Sequence, residues 1–209
     1  MQGLARGRLA VNCPTMNYLA HLYLARHSDD AMLGALLGDF VFGVSGPDAY
    51  PSPIRDEILC HRRLDRYTDA HPSVTAARAL FADGRRRYAG IALDVFYDHL
   101  LARDWARWCE VDLDAFTGRF YLHLLANRER LPGRLHTIAP LMAEHDWLGS
   151  YRERAIVDHA VSRIATRLSR NGDKLIACLE DLRIHEAAIE SGFEALLSDL
   201  VSYAADLRR

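Results

Sequence analysis

Apolar residues recur at spacings of three and four along the chain from Met16 onward, which is the periodicity of amphipathic α-helices. No segment shows the alternating β-branched residues between tight turns that are typical of β-strands. The pattern therefore predicts an all-α fold. Helices are predicted over residues 17–27, 28–42, 54–69, 73–87, 91–108, 113–130, 136–148, 151–168 and 173–207.

Proline, glycine and capping residues set the predicted ends of these helices. Ser28, followed by two aspartates, is a typical N-cap with acidic residues at the positive end of a helix. Residues 43–53 contain three prolines and two glycines, so they form the principal predicted loop. Pro72 disfavours helical geometry at the residue before it, which ends the third helix and leaves Ser73 as the predicted N-cap of the fourth.

The composition of the 209-residue chain is that of an ordinary globular protein, with 26% charged and 50% hydrophobic residues. The chain has no internal repeat, and no apolar run approaches the ~20 residues that a membrane-spanning helix needs. We therefore expect residues 16–209 to form a single-domain helical bundle. We expect residues 1–15 to be a disordered extension, because their apolar run is too short for a signal peptide.

Charge and cysteine content indicate the compartment and the classes of partner. The formal net charge of −2 lacks the basic excess of nucleic-acid-binding proteins, and we expect neither a nucleic acid nor a membrane as a partner. The cysteines form no CxxC pair, so the pattern favours neither a thiolate zinc site nor a disulfide framework and fits a reducing cytoplasm. These cysteines are Cys13, Cys60, Cys109 and Cys178.

The third predicted helix carries the strongest candidate for chemistry. His61, Asp65 and Asp69 recur every four residues, so their side chains lie along one face. Imidazole and carboxylate ligands together suit Mn²⁺, Fe²⁺ or Mg²⁺, and we interpret this face as a candidate metal site. The alternative is an exposed face on which the two aspartates form ion pairs with arginines of the same helix.

Other acids and histidines lie in strongly apolar segments. Asp94, Asp98 and His99 fall within the fifth predicted helix, His21 in the first, and Asp39 at the end of the second. An uncompensated charge is costly to bury, so these side chains need a metal or a protein partner. The alternatives are a hydrogen-bonded core role for His21 and an ion pair with a nearby arginine for Asp39. For Asp94 they are a hydrogen bond to a metal ligand or a charge near the helix N-terminus.

Taken together, these segments resemble the acyl carrier protein phosphodiesterase family, a divergent branch of the HD-type metal-dependent phosphohydrolases. The similar segments cover most of residues 16–108, and their order and spacing are specific to the family. Asp98-His99 reverses the His-Asp order of the usual HD motif. The segments are residues 17–25 (NYLAHLYLA), 34–41 (GALLGDFV), 61–69 (HRRLDRYTD) and 93–105 (LDVFYDHLLARDW).

The resemblance implies an enzyme that removes the 4'-phosphopantetheine group from holo-acyl carrier protein by hydrolysing a phosphodiester. It implies a divalent metal as cofactor, manganese first, with Mg²⁺ or Fe²⁺ as alternatives. The implied catalytic residues are His61, Asp65, Asp98 and His99. The implied metal ligands are His21, Asp39, His61, Asp69, Asp98 and His99. The candidates for contact with phosphate or with the acidic carrier protein are Arg62, Arg63 and Arg66.

Two other functions remain open from the sequence. The first keeps the metal chemistry but changes the substrate to a nucleotide or another small phosphoester, as in related HD-type hydrolases. The second is a helical module without catalytic activity, which binds a carrier protein through its arginines while its internal acids form ion pairs. The sequence does not indicate an oligomeric state.

Overall fold

A computed structural model of the chain describes residues 18–43 and 46–209. These residues form helices and connecting turns without a β-strand, which confirms the predicted all-α, single-domain fold. The predicted extension, residues 1–15, lies outside the described residues. The helices are α1 (Tyr18–Leu24), α2 (Asp29–Leu37), α3 (Ile54–Ala70), α4 (Pro72–Ala79), α5 (Arg86–Arg103), α6 (Trp105–Trp108), α7 (Leu113–Ala126), α8 (Gly133–Glu144), α9 (Trp147–Ser150), α10 (Arg154–Ala165), α11 (Gly172–Glu190) and α12 (Phe193–Leu207), with 3-10 helices at Gly46–Ala49 and Arg128–Arg130.

Several of the predicted helices are interrupted in the structure, and three of them show how. The predicted helix over residues 73–87 divides into α4 and the start of α5, and the one over 91–108 breaks at Asp104 between α5 and α6. The last helix, predicted over 173–207, divides at Gly192 into α11 and α12. Apolar periodicity continues across these breaks because the helices on both sides bury a face in the same core, so periodicity does not reveal where the backbone turns.

One of the two predicted helix caps is confirmed and the other is wrong. The Ser28 hydroxyl accepts a hydrogen bond from the backbone N–H of Ala31 at 3.1 Å, as predicted for the start of α2. At the start of α4 the cap is His71 rather than Ser73, because the His71 Nδ1 atom accepts a hydrogen bond from the Ser73 N–H at 3.2 Å. Pro72 then occupies the first helical turn, where its missing N–H leaves no hydrogen bond unmade.

Two glycines allow α2 to lie unusually close to α3. A Cβ atom on Gly34 would overlap the carbonyl oxygen of Ile54, and one on Gly38 would overlap the imidazole ring of His61. Glycine is therefore required at these two positions for the helices to approach each other. The close approach places His61 of α3 beside the end of α2, where Asp39 follows Gly38.

Helix α5 forms the centre of the bundle. It contacts α1, α4, α10 and α11, and most of its residues are buried. Helices α1, α2 and α3 contact one another in succession, so the polar residues on their inner faces share one region of the interior. No helix among the described residues has both the length and the apolar character needed to cross a bilayer.

Candidate metal centre

The centre of the candidate site is a contact between α1 and α3. His61 and Asp65 lie one turn apart on α3 and face His21 of α1. The His21 Nε2 atom donates a hydrogen bond to Asp65 Oδ1 at 2.9 Å. The two imidazole rings are stacked, with 3.8 Å between their centroids. The structure therefore joins side chains that are forty residues apart in the sequence.

Asp39 extends this cluster from the end of α2. Its Oδ1 atom lies 3.6 Å from the His61 Nε2 atom, which also lies 3.2 Å from Asp65 Oδ2. Both imidazoles and the Asp39 carboxylate are buried, whereas the Asp65 side chain is one-third exposed. We call His21, Asp39, His61 and Asp65 the four-residue cluster. One member of the cluster, Asp65, is partly exposed, and it marks the side from which water or a ligand reaches the cluster.

Several polar atoms of the four-residue cluster have no hydrogen-bond partner among the described residues. They include the Oδ2 atom of Asp39, the Nδ1 atom of His21 and both ring nitrogens of His61, whose contacts with the carboxylates lack hydrogen-bond geometry. A buried polar group without a partner costs roughly 1–3 kcal/mol of stability. Such groups are rare in native proteins, and several in one place indicate a site that a bound species completes.

The charges of the cluster favour a cation at its centre. Burial lowers the pKa of His21, and the neighbouring His61 lowers it further. Burial also lowers the pKa of His61, but Asp39 and Asp65 outweigh this effect and raise it to about 10. Burial opposes ionisation of Asp65, yet the two imidazoles hold its pKa below the usual value. A proton on His61 therefore occupies a position where two carboxylates stabilise positive charge.

The donor atoms of the cluster fit a divalent metal ion. One ligand atom each from His21, His61 and Asp65 lies within 4.8 Å of the others. Two imidazoles and a carboxylate are a donor set that suits Mn²⁺ or Fe²⁺, and the Asp39 carboxylate adds a further oxygen nearby. The sequence placed Asp65 on the candidate metal face of the third helix, and in the structure its carboxylate contacts both imidazoles.

The structure places Asp98 and His99 in different surroundings. The Asp98 carboxylate accepts hydrogen bonds from the backbone N–H groups of Leu19 at 3.0 Å and Ala20 at 2.9 Å, at the N-terminus of α1. The His99 Nδ1 atom donates to the carbonyl oxygen of Tyr151 at 2.8 Å. Both residues are buried, but backbone groups satisfy them. Their assignment as ligands or catalytic groups stays a prediction, and these contacts give it no support.

The remaining acids of the sequence pattern lie at the edge of the cluster. Asp69 extends into solvent, and its carboxylate pairs with Arg78 at 2.6 Å. Asp94 is partly buried, and burial together with the charges of Asp65 and Asp69 raises its pKa well above the usual value. Its interpretation as a charge at a helix N-terminus is wrong, because α5 begins at Arg86 and has no acid in its first turn.

The three arginines of α3 differ in their contacts. The Arg62 guanidinium donates to the backbone carbonyl of Val41 at 2.7 Å and to that of Gly43 at 3.2 Å. It thereby fixes the chain that follows Asp39, and it does not form the ion pair with Asp39 that was the alternative prediction. Arg63 and Arg66 are exposed on the outer surface of α3.

Comparison with known proteins identifies the family of the chain. A family model described as acyl carrier protein phosphodiesterase matches residues 16–200. The acyl carrier protein phosphodiesterase of Enterobacter sp. (strain 638) is 37% identical over 179 residues, which cover 85% of this chain and 92% of that protein. The protein of the same name from Salmonella agona (strain SL483) is 34% identical over 191 residues, covering 91% of this chain and 98% of that protein.

A third relative, the acyl carrier protein phosphodiesterase of Serratia proteamaculans (strain 568), is 33% identical over 192 residues and covers 91% of this chain and 98% of its own. No solved structure matches the chain. The matched region contains every residue of the four-residue cluster. The chain belongs to the acyl carrier protein phosphodiesterase family.

Proposed function

We propose that this protein hydrolyses the phosphodiester that joins 4'-phosphopantetheine to acyl carrier protein, releasing the apo-carrier. The name shared by its family and relatives supports the substrate. The observation that carries the chemistry is the four-residue cluster, in which several buried imidazole and carboxylate atoms have no hydrogen-bond partner in the part of the chain that the structure describes. The relationship to the HD-type hydrolases stays a prediction.

The proposal includes a divalent metal ion, manganese first, with Mg²⁺ or Fe²⁺ as alternatives. His21, His61 and Asp65 would hold it, because their ligand atoms already lie within 4.8 Å of one another. A bound divalent ion would lower the pKa of water and offset charge on the phosphoryl oxygens. Asp39 and Asp65, which stabilise a proton on His61, would likewise stabilise the positive charge of a bound ion.

The protein supplies proton transfer and orientation around that centre. Asp65 contacts both imidazoles and fixes their relative position. The Asp39 Oδ2 atom is buried without a partner among the described residues, so we assign it the role of accepting the proton of the attacking water. Arg62 positions this carboxylate indirectly, since it anchors the backbone at Val41 and Gly43.

The carrier protein is proposed to approach the face of α3 that bears Arg63 and Arg66. These side chains are exposed and form no ion pair with the described residues. An acidic partner would be attracted to them over a distance of about one Debye length, ~8 Å at physiological salt. We also propose a cytoplasmic location, which the free thiols of Cys60, Cys109 and Cys178 support.

Intact-mass spectrometry tests the proposed function directly. Purified protein is incubated with holo-acyl carrier protein and Mn²⁺, and the mass of the carrier is followed with time. We expect the carrier to lose its 4'-phosphopantetheine group with Mn²⁺ and to keep it when EDTA replaces the metal. An unchanged carrier mass together with turnover of a nucleotide would replace this function with that of a small-phosphoester hydrolase. An unchanged mass with stable binding of the carrier would indicate a non-catalytic module.

A further inference from the structure

The outer surface of α3 places an apolar side chain beside three arginines. Leu59 lies on this surface and is 37% exposed. The arginines follow it at spacings of three and four residues, so they are its neighbours on the helix. A leucine surrounded by cations on an exposed helix face contributes nothing to the core, which directs attention to what it could contact. The arginines are Arg62, Arg63 and Arg66.

Phe42 adds an aromatic ring to this surface. Its side chain is 59% exposed, and no other phenylalanine, tyrosine or tryptophan within residues 18–43 and 46–209 is as exposed. The Arg62 guanidinium donates to the backbone carbonyls of the residues on either side of this ring, Val41 and Gly43. One arginine of α3 therefore holds the segment that presents the ring to solvent. We define the α3 surface as Phe42, Leu59, Arg62, Arg63 and Arg66.

The α3 surface is locally positive, although the whole chain has a formal net charge of −2. Arg62 bonds to backbone carbonyls, and none of the three arginines pairs with a carboxylate in the described part of the chain. The two acids nearest to them on α3 already have partners. Asp65 contacts the imidazoles of the cluster, and Asp69 pairs with an arginine of α4. Three positive charges are therefore available to an acidic partner.

The α3 surface adjoins the exposed edge of the four-residue cluster. Asp65, the partly exposed member, lies one turn from Arg62 and directly before Arg66 on the same helix. Asp39 precedes Phe42 by three residues in the chain. A protein bound to the α3 surface is therefore next to the side from which a ligand reaches the cluster. The phosphodiester of the proposed substrate joins the carrier to its arm, so it lies at the surface of the carrier.

We infer that Phe42 and Leu59 are the apolar anchors on which the carrier protein docks, an inference that rests on the proposed function. Aromatic residues and arginine are enriched at the centres of protein interfaces, and a few buried anchors supply most of the affinity. The arginines attract the acidic carrier, and the two apolar side chains hold it once they are buried. A second copy of this chain fits less well, because a symmetric contact would bring the same arginines together.

Binding of apo-acyl carrier protein tests the inference without turnover, since the apo-carrier has no arm to hydrolyse. Fluorescently labelled apo-carrier is titrated with the full-length protein in EDTA and followed by anisotropy. We expect Phe42→Ala to weaken binding about tenfold and Leu59→Ala about threefold, because each removes apolar surface that the carrier buries. Both side chains are exposed, so the fold is spared, and circular dichroism checks this.

Matched controls come from exposed apolar residues elsewhere on the molecule. Leu122 of α7 is 74% exposed and Ile184 of α11 is 64% exposed. Leu122→Ala and Ile184→Ala should each leave the affinity within about twofold of the wild type, because they lie outside the proposed contact. Unchanged affinity in Phe42→Ala, equal weakening by a control, or no binding of apo-carrier to the wild type would overturn the inference.

Ionic strength separates the role of the arginines from that of the apolar side chains. Arg66→Ala should weaken binding at low salt and make the affinity less dependent on salt, whereas Phe42→Ala should keep the salt dependence of the wild type. The control is Arg87→Ala, an exposed arginine at the start of α5. An unaltered salt dependence in Arg66→Ala would overturn the role of charge. A dimer in light scattering that Phe42→Ala dissociates would assign the α3 surface to a second copy and overturn carrier docking.

Steady-state kinetics separate this inference from the proposed function. With holo-acyl carrier protein and Mn²⁺, Phe42→Ala should raise KM with a much smaller effect on kcat, because docking strengthens the ground state and the transition state alike. Leu122→Ala should change neither. Hydrolysis by the wild type with an unchanged KM in Phe42→Ala would overturn the docking site and leave the function intact. Binding of apo-carrier that depends on Phe42, without any change in the mass of holo-carrier, would do the reverse.

Discussion

The protein contains two buried sets of histidine and aspartate that look alike in the sequence but differ in their partners. In the first, the four-residue cluster, most of the imidazole and carboxylate atoms face one another, and several have no hydrogen-bond partner among the described residues. In the second, Asp98 and His99 bond to backbone groups of α1 and of Tyr151. Backbone groups of the protein thus satisfy the second set, whereas the first retains buried polar atoms without such partners among the described residues.

This difference shows that burial of a charged side chain does not by itself mark a functional site. Backbone N–H and C=O groups can satisfy a buried carboxylate or imidazole completely, which makes it part of the architecture. Side chains that lack such partners and converge from several helices lower stability unless a ligand completes them. Changes in the two sets should therefore affect different measurements.

The largest effect is expected for His61→Ala in the cluster. We expect the rate of holo-carrier hydrolysis to fall by roughly 1,000-fold, within the 10²–10⁴ range for loss of a catalytic proton-transfer or metal-holding group. Initial rates from intact-mass spectrometry measure this, with circular dichroism to confirm helical content. The matched control is His123→Ala, since that partly exposed histidine on α7 lies outside the cluster and makes polar contacts with Asp30 and Asn127. A variant that keeps half of the wild-type rate would remove His61 from the site.

In the second set, we expect Asp98→Ala to act mainly by lowering the stability of the fold, and not by acting directly on the hydrolysis step. The change leaves the N–H groups of Leu19 and Ala20 without their acceptor in the interior, which should lower the free energy of unfolding by about 2–4 kcal/mol. Urea denaturation measures the loss. Asp69→Ala is the control, because that exposed carboxylate only pairs with Arg78 and should contribute less than ~1 kcal/mol. Equal stability of the two variants would contradict the structural role of Asp98.

Metal binding tests the difference between the two sets without turnover, because it measures ligation by the cluster alone. We expect Mn²⁺ at 100 times its dissociation constant to stabilise the wild type by ~2.7 kcal/mol, visible as a rise in Tm that EDTA reverses. Asp65→Asn removes a charged oxygen that contacts both imidazoles and should abolish this rise. Asp69→Asn, one turn further along α3, should retain it. Loss of the rise in Asp69→Asn instead would move the metal outward along the helix.

The smallest effect is expected for two neighbouring arginines of α3, of which one bonds to backbone groups and the other is exposed. Arg62→Ala removes donors to the carbonyls of Val41 and Gly43 and should lower the free energy of unfolding by ~1 kcal/mol. Arg63→Ala affects an exposed side chain and should stay within ~0.5 kcal/mol of the wild type. Parallel urea titrations compare them. The reverse order of stabilities would mean that Arg62 does not anchor the segment after α2.

Much of the fold was predictable because it follows from local chemistry. The apolar spacing predicts helices, Ser28 predicts the start of α2, and the proline-rich residues 43–53 predict a loop before α3. The interruptions at Asp104 and Gly192 were not predictable. Helices on either side of such a break bury faces in a common core, so the apolar pattern runs on while the backbone changes direction.

The candidate site was predictable in its members but not in their grouping. Histidines and aspartates in apolar segments stand out in any reading of the sequence, and four of them form the cluster.

The sequence by itself determined an all-α chain and drew attention to the buried residues His21, Asp39, His61, Asp98 and His99, since helix periodicity and the cost of burying charge depend on residue type and spacing. Only the tertiary structure decided which of those residues share a site. Asp65 and Asp98 look alike in the sequence, because each follows another ionisable residue by one helical turn. In the structure, however, backbone N–H groups of α1 bond to Asp98, whereas two imidazoles contact Asp65. The physical reason is that a carboxylate's role depends on which donors the packing of distant helices brings to it.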